Sequence, residues 1–583
     1  MEKTDTNKAH HFEKVVDCQY ACPAHTPVPE YIRLIAEGRY TDAYMVNWES
    51  NVFPGILGRV CDRPCEPACR RSRVEEEPVA ICRLKRVAAD NRDEDISSRL
   101  PVIPTESNGK KIALIGAGPA SLTVARNLAP LGYELTIYDK EAAAGGFIRS
   151  QIPSFRLPEE VLDDEVDRVL NMGVSKIFNH EVTSLKEMTK MDYDAIFVGT
   201  GAPLGRDLWI EGRKEADSQI HVGISWLSNV SFEHVDKISK NVIVLGGGNT
   251  AMDCCRTAKR LGGKNVKIVV RSSFEAMKAS PWEKEDAIHE GIEILVHHVP
   301  KRFVVENDKL TGMEFELVES VYDDDGRRTL VPTGEPDKFI ACDEVLVAVG
   351  QDTAFPWIER DIGLEFNKWD QPELNPETLQ SSIDKVFFGG DAAFGPENII
   401  TAVAHGHKAA AGIHEFVSGS QVDAPGFKLV SQKMGVHDWS YNSAINEEQR
   451  HAVPMIDLKQ ALKNLSMEVE LGFDERSAAE EALRCLNCDV HTVFTEDKCI
   501  ECNSCVDICP MDCINFIDNK PESDLRSSLR VPATNTQQDL LVSSELKTGA
   551  VMVKDEDVCL HCGLCAERCP TNAWDMQKLV VTA

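Results

Sequence analysis

Between residues 110 and 420 the chain repeats one pattern: a short apolar run, a glycine turn, and an amphipathic stretch of helical period. Lys111-Ile-Ala-Leu-Ile115 predicts a buried strand and Gly116-Ala-Gly-Pro-Ala-Ser121 a tight turn, after which apolar positions recur at helical spacing through Leu128. Glu134 to Tyr138 predicts the next strand, ending at Asp139. The order returns with the strand Asn241-Val-Ile-Val-Leu245 and with Gly246-Gly-Gly-Asn-Thr-Ala-Met-Asp253, which opens a helix closing near Gly262-Gly263. A strand over Val266 to Val270 follows. Phe197-Val-Gly-Thr-Gly201 reads as a strand ending in glycines where the first unit hands over to the second. After Asp343 to Gln351, Val386-Phe-Phe-Gly-Gly-Asp391 and a helix from Ile399 to Val417 return to the first unit. Residues 424–484 are polar and mixed, with a helical acidic stretch into Glu481, and read as a linker. No apolar run comes near the roughly 18 residues of a membrane span.

Strand, glycine turn and helix in that order is what a dinucleotide needs. Glycines allow a tight turn and close backbone approach to a pyrophosphate, and the helix N-terminus stabilises its negative charge. The candidate contacts in the first unit are Gly116, Gly118, Pro119 and Ala120, with Gly146 beyond the second strand and Asp139 placed for a ribose hydroxyl. Ser121 replaces the third glycine, a mild departure. Those in the second unit are Gly246, Gly248, Asn249 and Thr250. Arg271 ends the second strand there, where a cation pairs with a 2′-phosphate or merely caps the strand, and Glu275 would suit a 2′-hydroxyl instead. The nicotinamide is therefore NAD or NADP.

Twenty cysteines cluster at the ends: six in residues 18–82, three in the long middle, and eleven after residue 484. Cys499-x2-Cys502-x2-Cys505-x3-Cys509-Pro and Cys559-x2-Cys562-x2-Cys565-x3-Cys569-Pro form the two-cluster ferredoxin run, in which the fourth cysteine of each run ligates the other cluster. Cys499, Cys502, Cys505 and Cys569 are thus assigned to one [4Fe–4S] cluster, and Cys559, Cys562, Cys565 and Cys509 to the other. The polar insert from about Asn519 to Asp555 reads as a tolerated surface insertion or, alternatively, a partner-docking loop.

At the N-terminal end stand Cys18-x3-Cys22-Pro, Gly58-Arg-Val-Cys61-x3-Cys65-Glu66-x2-Cys69 and Cys82-Arg-Leu-Lys85. With Asn51-x-Phe53-Pro54 and the paired glycine turns, these resemble the small subunit of bacterial glutamate synthase and the matching half of dihydropyrimidine dehydrogenase over about residues 15–420. The resemblance implies a helical N-terminal domain holding [4Fe–4S] clusters beside a flavin. It is also to the flavoproteins with two dinucleotide-binding domains, which implies FAD in the first fold, with Gly390 and Asp391 at its ribityl chain, and NAD(P)H in the second. The chain lacks the C-x2-C pair that those relatives carry ahead of the equivalent of Cys18. If residues around 82–85 are helical, Cys82 shares a face with Lys85, and Cys22, Cys61, Cys65 and Cys82 complete one cluster. Cys485-x2-Cys488 would then replace the missing pair, so that Cys18, Cys69, Cys485 and Cys488 hold another; the alternative is that these four are free thiols or that the last two bind elsewhere. Cys254, Cys255, Cys342 and Cys513 read as packing residues.

Composition adds bounds. The chain has 583 residues, with Lys+Arg 63 against Asp+Glu 94 and a net charge of -31. That acidity argues against nucleic acid and anionic membranes and suits a partner with a basic patch. The opening Met-Glu-Lys-Thr-Asp-Thr lacks the order of a signal peptide, so a cytoplasmic protein is expected. The expected fold is multidomain: an α-helical iron–sulfur domain (1–105), an α/β Rossmann-like FAD domain (106–235 and 345–420) interrupted by an α/β NAD(P)H domain (236–344), a linker (421–490) and an α+β bacterial-type ferredoxin domain (491–583). The expected function is electron transfer between NAD(P)H and a ferredoxin or larger oxidoreductase complex, in a hetero-oligomer or homodimer. A glutamate-synthase-type small subunit and a redox-sensing or assembly scaffold are the alternatives.

Overall fold

The computed structural model describes residues 1–5, 14–74, 77–323, 327–420, 426–431, 449–538 and 540–582, with only the backbone at 426–431 and 579–582. They divide into two compact units, one of residues 101–421 and 454–471, the other of residues 1–100, 422–453 and 472–583.

The middle unit is built on two parallel sheets. In the first, Lys111–Ile115 lies between Glu134–Tyr138 and Ala195–Val198, with Ser175–Ile177 and Val386–Phe388 at the edges. Both faces of such a sheet are covered, which is why its strands are continuous apolar runs: Ile112, Ala113 and Leu114 are fully buried. The edge strand Val386–Phe388 arrives only after the whole second fold has been inserted. There, Asn241–Leu245 pairs with Asn265–Val269 and Glu344–Val347, and Glu293–Leu295 and Ile220–Val222 lie outermost. The antiparallel strands His298–Glu306, Lys309–Tyr322, Arg328–Pro332 and Lys338–Ala341 pack Phe303, Met313 and Phe315 into one cluster with Ile243, Leu245 and Val345 of the parallel sheet. Residues 454–471, read as linker, belong to this unit: Ala461 and Val469 bury against Phe155, and Val469 N–H donates to Phe155 O at 2.9 Å.

The other unit begins with the helices Asp17–Ala21, Val28–Ala36, Tyr40–Asn51, Pro54–Val60 and Ile81–Asp90, around Tyr31, Tyr44, Trp48 and Phe53. A Cβ on Gly58 would lie 2.7 Å from the Arg86 backbone, so glycine is what lets the last two helices touch. Its C-terminal part contains two three-stranded antiparallel sheets, Ile514–Asp518, Ala550–Asp555, Leu540–Val542 and Val490–Phe494, Trp574–Thr582, Gly426–Ser431. The 519–555 segment is not a loose surface insertion. Leu525 and Leu529 of and beside the helix Glu522–Ser528 bury against Leu540, Val542, Val551 and Val553. The apolar residues are few but fall on one face, which composition alone hides. The helix Glu475–Ala482 leads into Cys485. Among the described residues no helix is long and apolar enough to cross a membrane.

Candidate nucleotide cradles and cysteine clusters

In the first parallel fold Gly116 has φ +90°, and a Cβ there would meet Gly199 O at 2.6 Å. Gly118 differs: φ is -82°, and a Cβ would meet only Gly199 O, at 3.9 Å. Packing thus demands glycine at 116 but not at 118, where the space lies in front of the helix Pro119–Leu128, whose N-cap makes no side-chain hydrogen bond. Gly146 (φ +54°) sits on Gly118, its would-be Cβ 2.8 Å from the Gly118 Cα, and Gly390 (φ +61°) sits on Ala120. Asp391 is therefore delivered to the same turn, where burial pushes its carboxyl up to about 6. Asp139 accepts the Ala117 N–H at 2.6 Å and the Glu141 N–H at 2.8 Å, which ties the second strand to the glycine turn. The small residue lost at Ser121 is recovered at Gly199, where a Cβ would lie 2.4 Å from Ser121 Oγ.

The second fold repeats the division. Gly246 has φ +139°, and a Cβ would lie 2.1 Å from Ala348 O; a Cβ on Gly248 would meet no atom within 4 Å. The helix Asn249–Arg260 again starts without a side-chain cap. Asn249 accepts the Ser280 N–H at 2.9 Å, Thr250 is half-buried beside it, and Arg271 is exposed just past the strand Asn265–Val269. Both turns fit a pyrophosphate: each has uncapped helix amides and a glycine whose missing side chain leaves room for a ligand rather than for the protein.

The sixteen candidate ligand cysteines all fall in the other unit. Cys82 lies on the helix Ile81–Asp90, accepts hydrogen bonds from the Cys61 and Cys65 thiols, and with Lys85 nearby is held well below the ordinary thiol range. Donation to Cys82 pushes Cys61 and Cys65 up. Lys85, 3% exposed, is within electrostatic reach of Cys82, Cys61, Cys65 and Cys22. Glu66 accepts the Cys82 N–H at 3.1 Å and pairs with Arg450 at 2.7 Å, fixing the helix start. Burial raises the Cys18 thiol, and Cys69, Cys488 and Cys485 around it raise it further, so these four from opposite ends of the chain come together. Burial pushes Cys485 up to about 12. The fully buried pair Glu481–Arg484 (2.7 Å) anchors the segment: Glu481 accepts the Ala80 and His451 amides, and Arg484 donates to Glu77 O and Pro78 O.

This set adjoins the ferredoxin run. Arg70, 1% exposed, pairs with Asp17 at 2.7 Å and donates to Cys559 O, and His561 Nδ1 lies 3.0 Å from Cys488 O. Cys559, Cys562, Cys565 and Cys509 line one cavity together with Thr492, Met511 and Lys554. Cys499, Cys502 and Cys505 form the remaining group with Cys569, which acts on both Cys499 and Cys502; Cys502 is exposed. One local device recurs. Arg63, Glu501 and His561 have φ +56°, +53° and +56°, and each turns its N–H onto the sulfur two residues earlier, at 3.3–3.4 Å, on Cys61, Cys499 and Cys559. Cys254, Cys255 and Cys342 are packed in apolar clusters. Cys513 is buried too, but its Sγ lies 3.4 Å from that of Cys509, whose thiol it draws down to about 6 by donating to it. Arg70, Glu481, Arg484, Lys554 and His561 were not singled out from the sequence. The available signal was a charged residue directly after an apolar run, as Lys554 is after Val551-Met-Val553.

Three family profiles match: "Pyridine nucleotide-disulphide oxidoreductase" over residues 110–406, "Dihydroprymidine dehydrogenase domain II, 4Fe-4S cluster" over 12–96, and "4Fe-4S dicluster domain" over 498–573. The chain is 34% identical to the NADP(+)-dependent formate dehydrogenase subunit beta of Moorella thermoacetica, over 81% of this chain and 70% of that one. It is 32% identical to the NADPH-Fe(3+) oxidoreductase subunit beta of Geobacter sulfurreducens, over 81% and 75%. It is 31% identical to the glutamate synthase [NADPH] small chain of Escherichia coli, over 68% and 87%.

Proposed function

The chain belongs to the pyridine nucleotide-disulphide oxidoreductase family, and we propose that it carries electrons between NADPH and a partner oxidoreductase through FAD and four [4Fe–4S] clusters. The observation that carries the reading is the gathering of Cys18 and Cys69 with Cys485 and Cys488, next to the cavity of Cys559, Cys562, Cys565 and Cys509. Four sets of four cysteines then stand as successive neighbours in one unit, a succession suited to passing single electrons. When bound, FAD supplies the step between a two-electron hydride and one-electron carriers. The protein's share is to bind and orient. The turn at Gly116, Gly118 and Gly146, with Gly390 and Asp391 beside it, holds FAD; the turn at Gly246 and Gly248 holds the nicotinamide nucleotide. Amides turned onto Cys61, Cys499 and Cys559 hold and tune the sulfurs.

NADPH is preferred over NADH because Arg271 is exposed at the end of the second strand of that fold, suited to a 2′-phosphate, and all three relatives above carry NADPH or NADP+ in their names. Two of them are named as beta subunits, which supports a larger complex as the partner. The test is an anaerobic titration of the cluster-loaded protein with NADPH and, separately, NADH, following flavin and cluster absorbance. Bleaching of both by NADPH at lower concentration than by NADH is expected. Failure of either nucleotide to reduce the flavin would overturn the reading and favour a redox-sensing scaffold.

A further inference from the structure

In strand Ala550–Asp555 Lys554 follows the apolar run Ala550-Val-Met-Val553 and is itself fully buried. Its Nζ donates to Thr492 Oγ1 at 2.8 Å and to Glu556 Oε1 at 2.9 Å. It also lines the cavity walled by Cys559, Cys562, Cys565 and Cys509, whereas Glu556 does not. An ammonium taken out of water is destabilising unless negative charge faces it, and a single carboxylate behind it leaves its cavity side uncompensated. A cubane on four thiolates carries net negative charge and meets that need. The sister set offers a contrast. Cys499, Cys502, Cys505 and Cys569 are influenced chiefly by burial, local hydrogen bonds, one another and the carboxylate of Glu501, with no cation among the largest influences.

We propose that Lys554 is the built-in counter-ion of the cluster held by Cys559, Cys562, Cys565 and Cys509, and that it sets this cluster's reduction potential above that of its sister in the same ferredoxin domain. Reduction of a cluster adds one electron, supplied from NADPH through FAD, and takes up no proton, so the site becomes more negative by one charge. A fixed ammonium in a low-dielectric wall favours that more negative state. Water at the exposed Cys502 also favours the reduced state of the sister cluster, but it acts weakly compared with a desolvated charge lining the same cavity as the sulfurs. The high-potential cluster is thus the one adjoining Arg70 and Cys488, and the electron leaves uphill through the exposed cluster only when a partner draws on it.

The proposal rests on the iron–sulfur reading above, and the experiment separates the two. The full chain, cluster-loaded, is titrated anaerobically and followed by electron paramagnetic resonance, with iron counted in each variant. Lys554→Met is expected to retain the wild-type iron content and to lower one reduction wave by at least a tenfold change in equilibrium constant, about 59 mV for one electron. Glu556→Gln, which removes the opposing charge, is expected to move the same wave upward, and Lys554→Arg to restore it. A merely structural role would shift both substitutions the same way or strip iron from both. Full iron content with no wave moved, or both variants moving it downward, overturns the counter-ion role while leaving the clusters in place. A wild-type protein without cluster signals overturns the underlying reading instead. If Lys554→Met loses the cluster, the upward shift in Glu556→Gln still decides the sign.

Discussion

The glycines of the second nucleotide turn give a sharp internal control. Gly248→Ala adds one methyl at φ -101° and ψ 176°, a conformation open to any residue, with no atom within 4 Å of the new carbon. Reduced freedom of the unfolded chain is worth about 0.4–1 kcal/mol in favour of alanine, and alanine's poorer N-cap preference opposes it by a similar amount. Stability should therefore change by less than about 0.5 kcal/mol. Gly246→Ala adds the same methyl at φ +139°, where it falls 2.1 Å from the backbone O of Ala348, which directly follows the strand Glu344–Val347 and is held by its own N–H donating to Leu245 O at 2.8 Å. The conformational strain alone is about 1–3 kcal/mol. The binding effect is opposite in logic. At position 248 the methyl enters the space assigned to the pyrophosphate, and NADPH affinity should fall at least tenfold, about 1.4 kcal/mol. Denaturant unfolding gives the stabilities, and anaerobic NADPH titration of flavin absorbance gives the affinities, with dithionite reduction of the same samples confirming that the flavin is intact. A Gly248→Ala protein that binds NADPH like wild type, or that is as unstable as Gly246→Ala, would refute the argument that this glycine serves a ligand rather than the fold.

Further outcomes follow from other sites. Cys485→Ser should lower the iron content from about 16 to about 12 per chain with loss of one cluster signal, since each cubane carries four irons; an unchanged count would mean that Cys485 holds no cluster. Arg271→Ala should weaken NADPH at least fivefold while leaving NADH unchanged, which paired flavin-reduction titrations would detect. Glu481→Ala leaves Arg484 buried without its carboxylate and two amides without an acceptor, and should destabilise its unit by about 3–5 kcal/mol; the double change Glu481→Ala with Arg484→Met should recover part of the loss in the same unfolding assay. Asp253 lies buried between Arg156 and Glu283, and burial above all lifts its carboxyl to about 6. A raised folded-state value means that the native form holds the proton more tightly than the unfolded chain. Its unfavourable contribution at neutral pH should therefore fade as pH drops through 6 and level off near the ordinary value of about 4. The stability difference between wild type and Asp253→Asn should shrink or change in favour of wild type across that window; a pH-independent difference would count against the raised value.

The two strand–glycine turn–helix units were legible because glycine, strand and helix stand in local order, over residues 111–128 and 241–260. The ferredoxin run was legible for the same reason. The antiparallel sheet between His298 and Ala341 was not, since its strands alternate weakly and most of their positions are exposed or only half-buried. Nor was the division of the stretch before Cys485, where residues 454–471 join one unit and those from 472 the other. A few apolar side chains, Ala461 and Val469 against Phe155, decide that, and nothing local marks them. Buried charges are the hardest case. Lys554, Arg70 and Arg484 look in the sequence like solvated residues, and only the fold shows that each also meets a partner brought from 62 to 489 positions away.

The meeting of Cys18 and Cys69 with Cys485 and Cys488 has a consequence in time as well as in space. The set of Cys22, Cys61, Cys65 and Cys82 is complete as soon as the first N-terminal helices have left the ribosome. At a synthesis rate of about 5–20 residues per second, its neighbour waits roughly 20–80 s for its second pair of thiols. Through that interval Cys18 and Cys69 stand open to oxidation or to stray metal, and the unit that holds them cannot close until nearly the whole protein has been made.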